Sequence, residues 1–543
     1  MKKRMTLFSC LMLSVPGILI LTETGFGQAP PLWGEIKPGP YAVGFRTIEK
    51  YDYSRTFQPA KDYFGNPVDG QTARPIQVCY WYPAEPNSGA RMVYSEYAFP
   101  YPSEPGFFEL LGQLQNRELG TLFFFLGNNP GLVQDLMDLE MLAVRDAPPA
   151  SGPFPLIVYH GGERSAYSQN AVLCEYLASQ GFVVATVHSV GLSATNPTMS
   201  QSDVEAVMRD KEMIVAFMRE LRNVDTERLG LLGYDYGGST ALLHQMRNYS
   251  VDGVATLHGR FLSAEGFDSL SANAGYVPLR MSVPWLEIHG TVGPATDMRS
   301  IDSLRYSSRY SLGVNGIPSN YFSTYGLMAV MLRADTTRTL VQASRTQSAV
   351  YVYLHKFFDA CLNGNDASRA WLKNTPEQNG FAAGLLSLSE REAEPAPPTR
   401  TQAEFEGILQ IYGVEKAAQL VERFDLLNPA NPILTDARFT QLGYQFLQQG
   451  NVASALVVFR WGVTAYPQSA NAWDSYGDAL SANNDLDSAL ACFRKAMVVL
   501  PNDSTISAQM RGALMTGTPP KITQMEQMIA ESARGADSAR TGN

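Results

Sequence analysis

The chain lacks several features that would point to other classes of protein. Among its 543 residues there are five cysteines, and Cys79, Cys174, Cys361 and Cys492 are too far apart for any metal-ligand spacing. That excludes a zinc ribbon or a disulfide framework; which cysteines could pair is open, and buried free thiols are the plainer expectation. Basic charge is not in excess: 42 Lys and Arg against 52 Asp and Glu give a formal net charge of −10, contrary to the basic stripe of a nucleic-acid binder. Beyond the N-terminus no apolar run is long enough to span a bilayer. Histidine is scarce, with six in all, so any imidazole needed for chemistry comes from a short list.

The remaining features separate by pattern. MKKR, the apolar run TLFSCLMLSVPGILIL and the small residues around Gly27 and Ala29 predict a signal peptide over 1–29, hence a periplasmic or secreted protein with no membrane span after cleavage. Residues 30–390 alternate strand-like and helix-like segments, REAEPAPPTR at 391–400 reads as a linker, and 401–543 reads as helical throughout. Within the helical part a 34-residue period aligns Phe439, Gly443, Ala455, Phe459, Gly462 and Pro467 with Trp473, Gly477, Ala489, Phe493, Ala496 and Pro501. That is the tetratricopeptide pattern, with repeats at about 436–469 and 470–503. EFEGILQIYGVEKAAQLVERFDLLNP, with Ala417 and Pro429 in register, reads as a degenerate repeat before them. Such repeats must stack to bury their faces, either bracing the neighbouring domain or holding a protein or peptide partner.

In the first region, apolar segments such as PFPLIVYH, GFVVATVH and VPWLEIH are separated by amphipathic helical stretches. Crossover connections of that length predict a mostly parallel α/β sheet flanked by helices, with the site at the carboxyl ends of the strands. An insertion at about 92–150 reads as a helical lid, and its Phe123, Phe124 and Phe125 are candidates either to line an acyl pocket or to pack the lid down. The stretch RLGLLGYDYGGST has the form of a nucleophile elbow, strand then Gly-x-?-x-Gly-Gly then helix, with Asp235 where a serine usually stands.

The elbow, the HGG after a core strand, YAVGFRTIEKYDYSRTF, RPIQVCYWYPAE and YLASQGFVVATVHSVG together resemble the α/β-hydrolase superfamily over most of residues 40–365. The narrower likeness is to its dienelactone-hydrolase and platelet-activating-factor-acetylhydrolase group. The resemblance implies an oxyanion hole from the backbone of Tyr236 and of the Gly161–Gly162 loop. It also implies an acid after VPWLEIH, where only Asp297 is offered, and a histidine in a late loop, where IPSNYF carries Ser319 instead.

Asp235 could act as the carboxylate nucleophile of an Asp-type hydrolase if a base were present, and its place at a helix N-terminus favours the anion. His160, His188, His258 and His289 follow strand ends and could face Asp235. His258 is the candidate relocated base, and His160 and His188 are candidate substrate-binding groups. Asp235, His188 and His258 could alternatively hold a metal, or the histidines could be structural. No cofactor is expected. Two functions stay open: a hydrolase fold that no longer works as a serine esterase and instead binds or scaffolds, or an active carboxylic-ester or Asp-nucleophile hydrolase whose crevice takes a small ester or acyl ligand.

Overall fold

The computed structural model describes residues 29–57, 72–86, 89–102, 107–163, 166–192, 196–293, 296–394 and 402–541. The expected signal peptide, apart from Ala29, and the expected linker from residue 395 lie outside these residues. The described strands are β1 Ala42–Phe57, β2 Thr72–Ala84, β3 Arg91–Val93, β4 Glu140–Arg145, β5 Phe154–His160, β6 Val183–Val187, β7 Val224–Tyr234, β8 Val251–Leu257, β9 Trp285–Gly290, β10 Arg309–Val314 and β11 Leu386–Arg391. They form one sheet in the order β11-β10-β9-β8-β7-β5-β6-β2-β1-β4-β3.

The middle of that sheet is parallel, from β10 through β9, β8, β7 and β5 to β6. Its strands are continuous apolar runs because both faces are covered: β5 (FPLIVYH) and β6 (VVATV) are buried along their whole length, as helix-sandwiched parallel strands must be. Leu156 and Val158 of β5 face one core, with the helices Gln201–Met218 and Tyr236–Arg247, while Ile157 and Tyr159 face the other, with Ala171–Ser179 and Leu340–Leu362. The chain leaves β5 for β6 on one side and returns to β7 on the other. The crevice at the carboxyl ends of β5 and β7 is therefore the topological switch point, where α/β sheets place their ligands.

The insertion differs from the expectation of a helical lid over 92–150. Its helices are Tyr94–Ala98, Phe108–Phe125 and Pro130–Met137, but Glu140–Arg145 is strand β4, parallel to β1 and edged by β3. The short run MLAV is too brief for its periodicity to distinguish strand from helix; pairing with β1 and the bond from Ala143 N–H to buried Glu175 (2.8 Å) decide it.

Beyond the sheet, helices Asp436–Gln448, Val452–Ala465, Ala470–Ala482 and Leu486–Val499 pack as successive antiparallel pairs. A Cβ at Gly443 would lie 2.4 Å from the Phe459 ring and one at Gly477 2.6 Å from that of Phe493, so glycine is what lets each pair approach. The upstream helix Gln402–Phe424 breaks at Gly413 (φ 81°) and leans on the sheet domain. Lys416, almost wholly buried, pairs with Asp252 at 2.7 Å, Glu404 pairs with Arg280, and Tyr249 packs into the helical core. The four cysteines among the described residues are free, with Cys79, Cys174 and Cys492 buried and Cys361 half-buried. No helix of the described residues is long and apolar enough to cross a membrane.

Candidate functional site

Strand β7 ends at Tyr234, and Asp235 takes φ 51° and ψ −116° before the helix Tyr236–Arg247 begins. A residue with a Cβ seldom holds that conformation, and such strain marks functional turns. The turn fits only because glycines surround it. A Cβ at Gly237 would fall 1.9 Å from the backbone oxygen of His160, and one at Gly162 would touch the Asp235 carboxylate at 3.4 Å. The Gly161–Gly162 loop thus lies directly against the elbow. Tyr236 opens its helix, where backbone N–H groups have no intrahelical acceptor.

The Asp235 carboxylate faces Arg260, which follows β8. The guanidinium reaches it through Nε (3.3 Å) and Nη2 (3.0 Å), and the same Nη2 reaches Glu163 at 2.7 Å. The Arg260 backbone N–H also donates to the Asp235 carbonyl, and its guanidinium lies over the Tyr236 ring at 5.7 Å. Both side chains of the Asp235–Arg260 pair are about one-third exposed, so the pair orients more than it stabilises. The sequence reading missed Arg260 and Glu163. Their only signal in the sequence is a position just after strand ends, in HGR and HGGE, and neither residue stands at an expected triad position.

The histidines do not converge as expected. Among the described residues no imidazole is hydrogen-bonded to Asp235. His258 receives the Gly290 N–H on Nδ1 at 3.3 Å and stacks on Phe322. Burial holds its pKa below the ordinary value, against the smaller opposing pull of the Asp235 charge. With Nδ1 accepting, the neutral ring carries its proton on Nε2. His160, expected to face the crevice, instead turns into the core: its ring bonds to Thr240 (3.0 Å) and to His244 (3.3 Å), because it shares a face of β5 with Leu156 and Val158. His188, also expected there, is buried against Tyr167 at 4.7 Å, and neither ring nitrogen has a hydrogen-bond partner among the described residues; burial drops its pKa to about 3. His289 is held near 4 by burial. No group of three His, Cys, Asp or Glu side chains among the described residues could hold a metal ion, so Asp235, His188 and His258 do not form the alternative ligand set.

The late loop does reach the elbow's flank, since the Ser319 carbonyl lies 3.5 Å from the Tyr234 hydroxyl, but it brings no imidazole. Asp297 is committed to Arg299 at 2.7 Å. Beneath the His258–Arg260 turn lies Glu287, fully buried and supporting the turn through bonds to Thr256 and to the Gly259 N–H; burial pushes its pKa well up, against the smaller opposing effect of those bonds.

The lid closes the other wall. Helix Phe108–Phe125 contributes Arg117, which donates to Asn196 (2.9 Å) and the Ser189 carbonyl (3.3 Å). Phe124 and Phe125 line the cleft, while Phe123 packs on the core. The lid is anchored by buried Glu118, bonded to Ser168 (2.5 Å) and Tyr325 (2.6 Å). The resulting cleft, of about 590 Å³, holds Asp235, Arg260, Glu163, Gly162, Gln169 and Arg117.

Residues 167–275, which carry the elbow and Arg260 but end before the late loop, match the Dienelactone hydrolase family. A carboxymethylenebutenolidase homologue of Methylorubrum extorquens is 24% identical over 186 residues, 32% of this chain and 63% of that protein. The chain therefore covers less than two-thirds of the curated relative it matches. A solved ferulic acid esterase from Streptomyces cinnamoneus aligns at 19% identity with a TM-score of 0.43, covering 66% of this chain and 98% of that one. Over residues 167–275 the sheet domain is thus similar to dienelactone hydrolases.

Proposed function

We propose that the sheet domain binds a small ligand in its cleft and does not act as a serine esterase. The observation that carries this reading is the Arg260 guanidinium seated on the Asp235 carboxylate at 3.0 Å, where an esterase needs a serine hydroxyl and an accepting imidazole. A carboxylate there would repel the oxyanion that develops on an ester. His258, with Nδ1 already accepting from Gly290, offers no lone pair for a proton through that nitrogen. The strained apex of Asp235 favours the other reading, an Asp-nucleophile hydrolase, because φ 51° is the kind of backbone that presents a reacting group.

The C-terminal helical pairs are, in this proposal, tetratricopeptide repeats whose first member braces the sheet domain through Lys416–Asp252 and Arg280–Glu404. The basic and apolar N-terminal stretch supports export. Purified protein, assayed on short-chain nitrophenyl esters beside Asp235→Ser, Asp235→Asn and His258→Ala, tests the reading. No turnover above buffer by the unsubstituted protein is expected. Turnover lost in both Asp235→Asn and His258→Ala would show a working aspartate and reject it.

A further inference from the structure

Four charged side chains meet in the cleft beneath the lid, and their charges cancel. Arg260 sits between Asp235 and Glu163, at 3.0 and 2.7 Å, and Arg117 adds the second cation. A free anion would have to draw Arg260 from two carboxylates that already hold it. A free cation would have to displace that same guanidinium. A neutral ligand bearing several hydroxyls faces neither cost, since an O–H can donate to the lone pairs that each carboxylate has in excess while its oxygen accepts from a guanidinium N–H.

Two further features point the same way. Gln169 is more than nine-tenths buried and lines the cleft, and its Oε1, itself buried, has no hydrogen-bond partner among the described residues, so an acceptor in the cleft wall is left unmatched. Buried acceptors left unmatched are costly. The Phe124 ring is 75% exposed and stands edge-on to Phe125 at 5.7 Å and 85°. It presents a flat apolar face beside Gly120, where a Cβ would meet nothing within 4 Å. The rest of the Phe run is otherwise engaged, with Phe123 in the core and Phe125 against Tyr325 at 5.1 Å. The aromatic lining of Phe124, Phe125 and Tyr234 stands among charged and amide groups, and the open face of Phe124 suits the C–H face of a hydroxylated ring.

We infer that the cleft takes an uncharged polyhydroxylated ring, a neutral saccharide, with Phe124 under its apolar face and Asp235, Glu163, Arg260 and Gln169 bonding its hydroxyls. This rests on the reading that the cleft binds and does not hydrolyse.

The test is isothermal titration of the purified full chain with cellobiose, xylobiose, maltose and lactose, with hexanoate as the charged acyl comparison, repeated with Phe124→Ala. Phe124 is exposed, so its truncation leaves folding intact. At least one disaccharide is expected to bind, with an affinity unchanged in about 0.5 M salt and reduced about tenfold by Phe124→Ala. Saccharide binding that Phe124→Ala leaves unchanged overturns the placement. No heat with any disaccharide overturns the saccharide assignment, and hexanoate binding alongside that silence leaves the binding reading standing with another ligand class. Ester turnover lost in Asp235→Asn would instead reject the binding reading itself.

Discussion

The two ends of the elbow helix use charge in opposite ways. At its N-terminus Asp235, Arg260 and Glu163 form a shared, partly exposed cluster that faces open cleft. Past its C-terminus, Tyr249 packs into the helical domain and Asp252 is matched one-to-one by Lys416, which is only 6% exposed. The first arrangement keeps hydrogen-bonding capacity for something outside the chain, whereas the second satisfies itself and joins two parts of the molecule. An ion pair's function is thus read from its surroundings more than from its distance, since the two contacts differ by only 0.3 Å (3.0 against 2.7 Å).

The comparison breaks most severely if the elbow's backbone is disturbed. Gly237→Ala places a Cβ 1.9 Å from the His160 carbonyl, a backbone atom that cannot step aside. The expected loss is about 3 kcal/mol or more, read by urea denaturation or as failure to yield folded protein. Gly443→Ala in the repeats meets a phenyl ring instead, and the expected loss is smaller, about 1–2 kcal/mol. At the base of the sheet, Lys416→Met leaves Asp252 without its cation. A loss of about 2–3 kcal/mol is expected, with the helical domain becoming more sensitive to proteolysis than the sheet domain.

A pH experiment separates the cleft from the core behind it. Burial lowers the pKa of His244 in the fold to about 3, from its ordinary 6.5. The unfolded chain takes up that proton first, so the stability tied to a neutral His244 is complete above pH about 6.5 and lost as pH falls towards 3. His244→Gln should flatten the dependence of unfolding free energy on pH across that window; an unchanged slope contradicts the buried neutral assignment. The smallest effect is expected at the lid, where Phe124→Ala should change stability by less than about 0.5 kcal/mol, measured by thermal melting.

Much of this was legible from the residues. Continuous apolar runs separated by amphipathic helices give parallel strands because both faces are buried, and RLGLLGYDYGGST folds as the elbow its glycines require. The orientation of His160 was also legible, since counting by two from Leu156 and Val158 places it on their face; its place as the histidine of HGG obscured that. Strand β4 depends on pairing with β1 about a hundred residues away (Gly44 with Val144), and no local pattern encodes such a partner. Arg260 was illegible for a different reason. No spacing rule links an arginine after β8 to an aspartate after β7; only the parallel register that sets Tyr234 beside Leu257 brings them together.

The central claim is that the Asp235 carboxylate, held by Arg260, does not form a covalent ester. The most direct measurement incubates the protein with nitrophenyl acetate and with a simple epoxide in water enriched in oxygen-18, then weighs the proteolytic peptide bearing Asp235. In an Asp-nucleophile cycle a carboxylate oxygen opens the epoxide, breaking one ring C–O bond to an alkoxide that takes up a proton and stays attached as a hydroxyalkyl ester. With nitrophenyl acetate it attacks and expels nitrophenolate to leave a mixed anhydride. Water attack at the Asp235 carboxyl carbon then leaves labelled oxygen in the side chain. The account predicts an unlabelled, unmodified peptide with both substrates. A substrate-dependent adduct or label on Asp235, absent in Asp235→Asn, would contradict it.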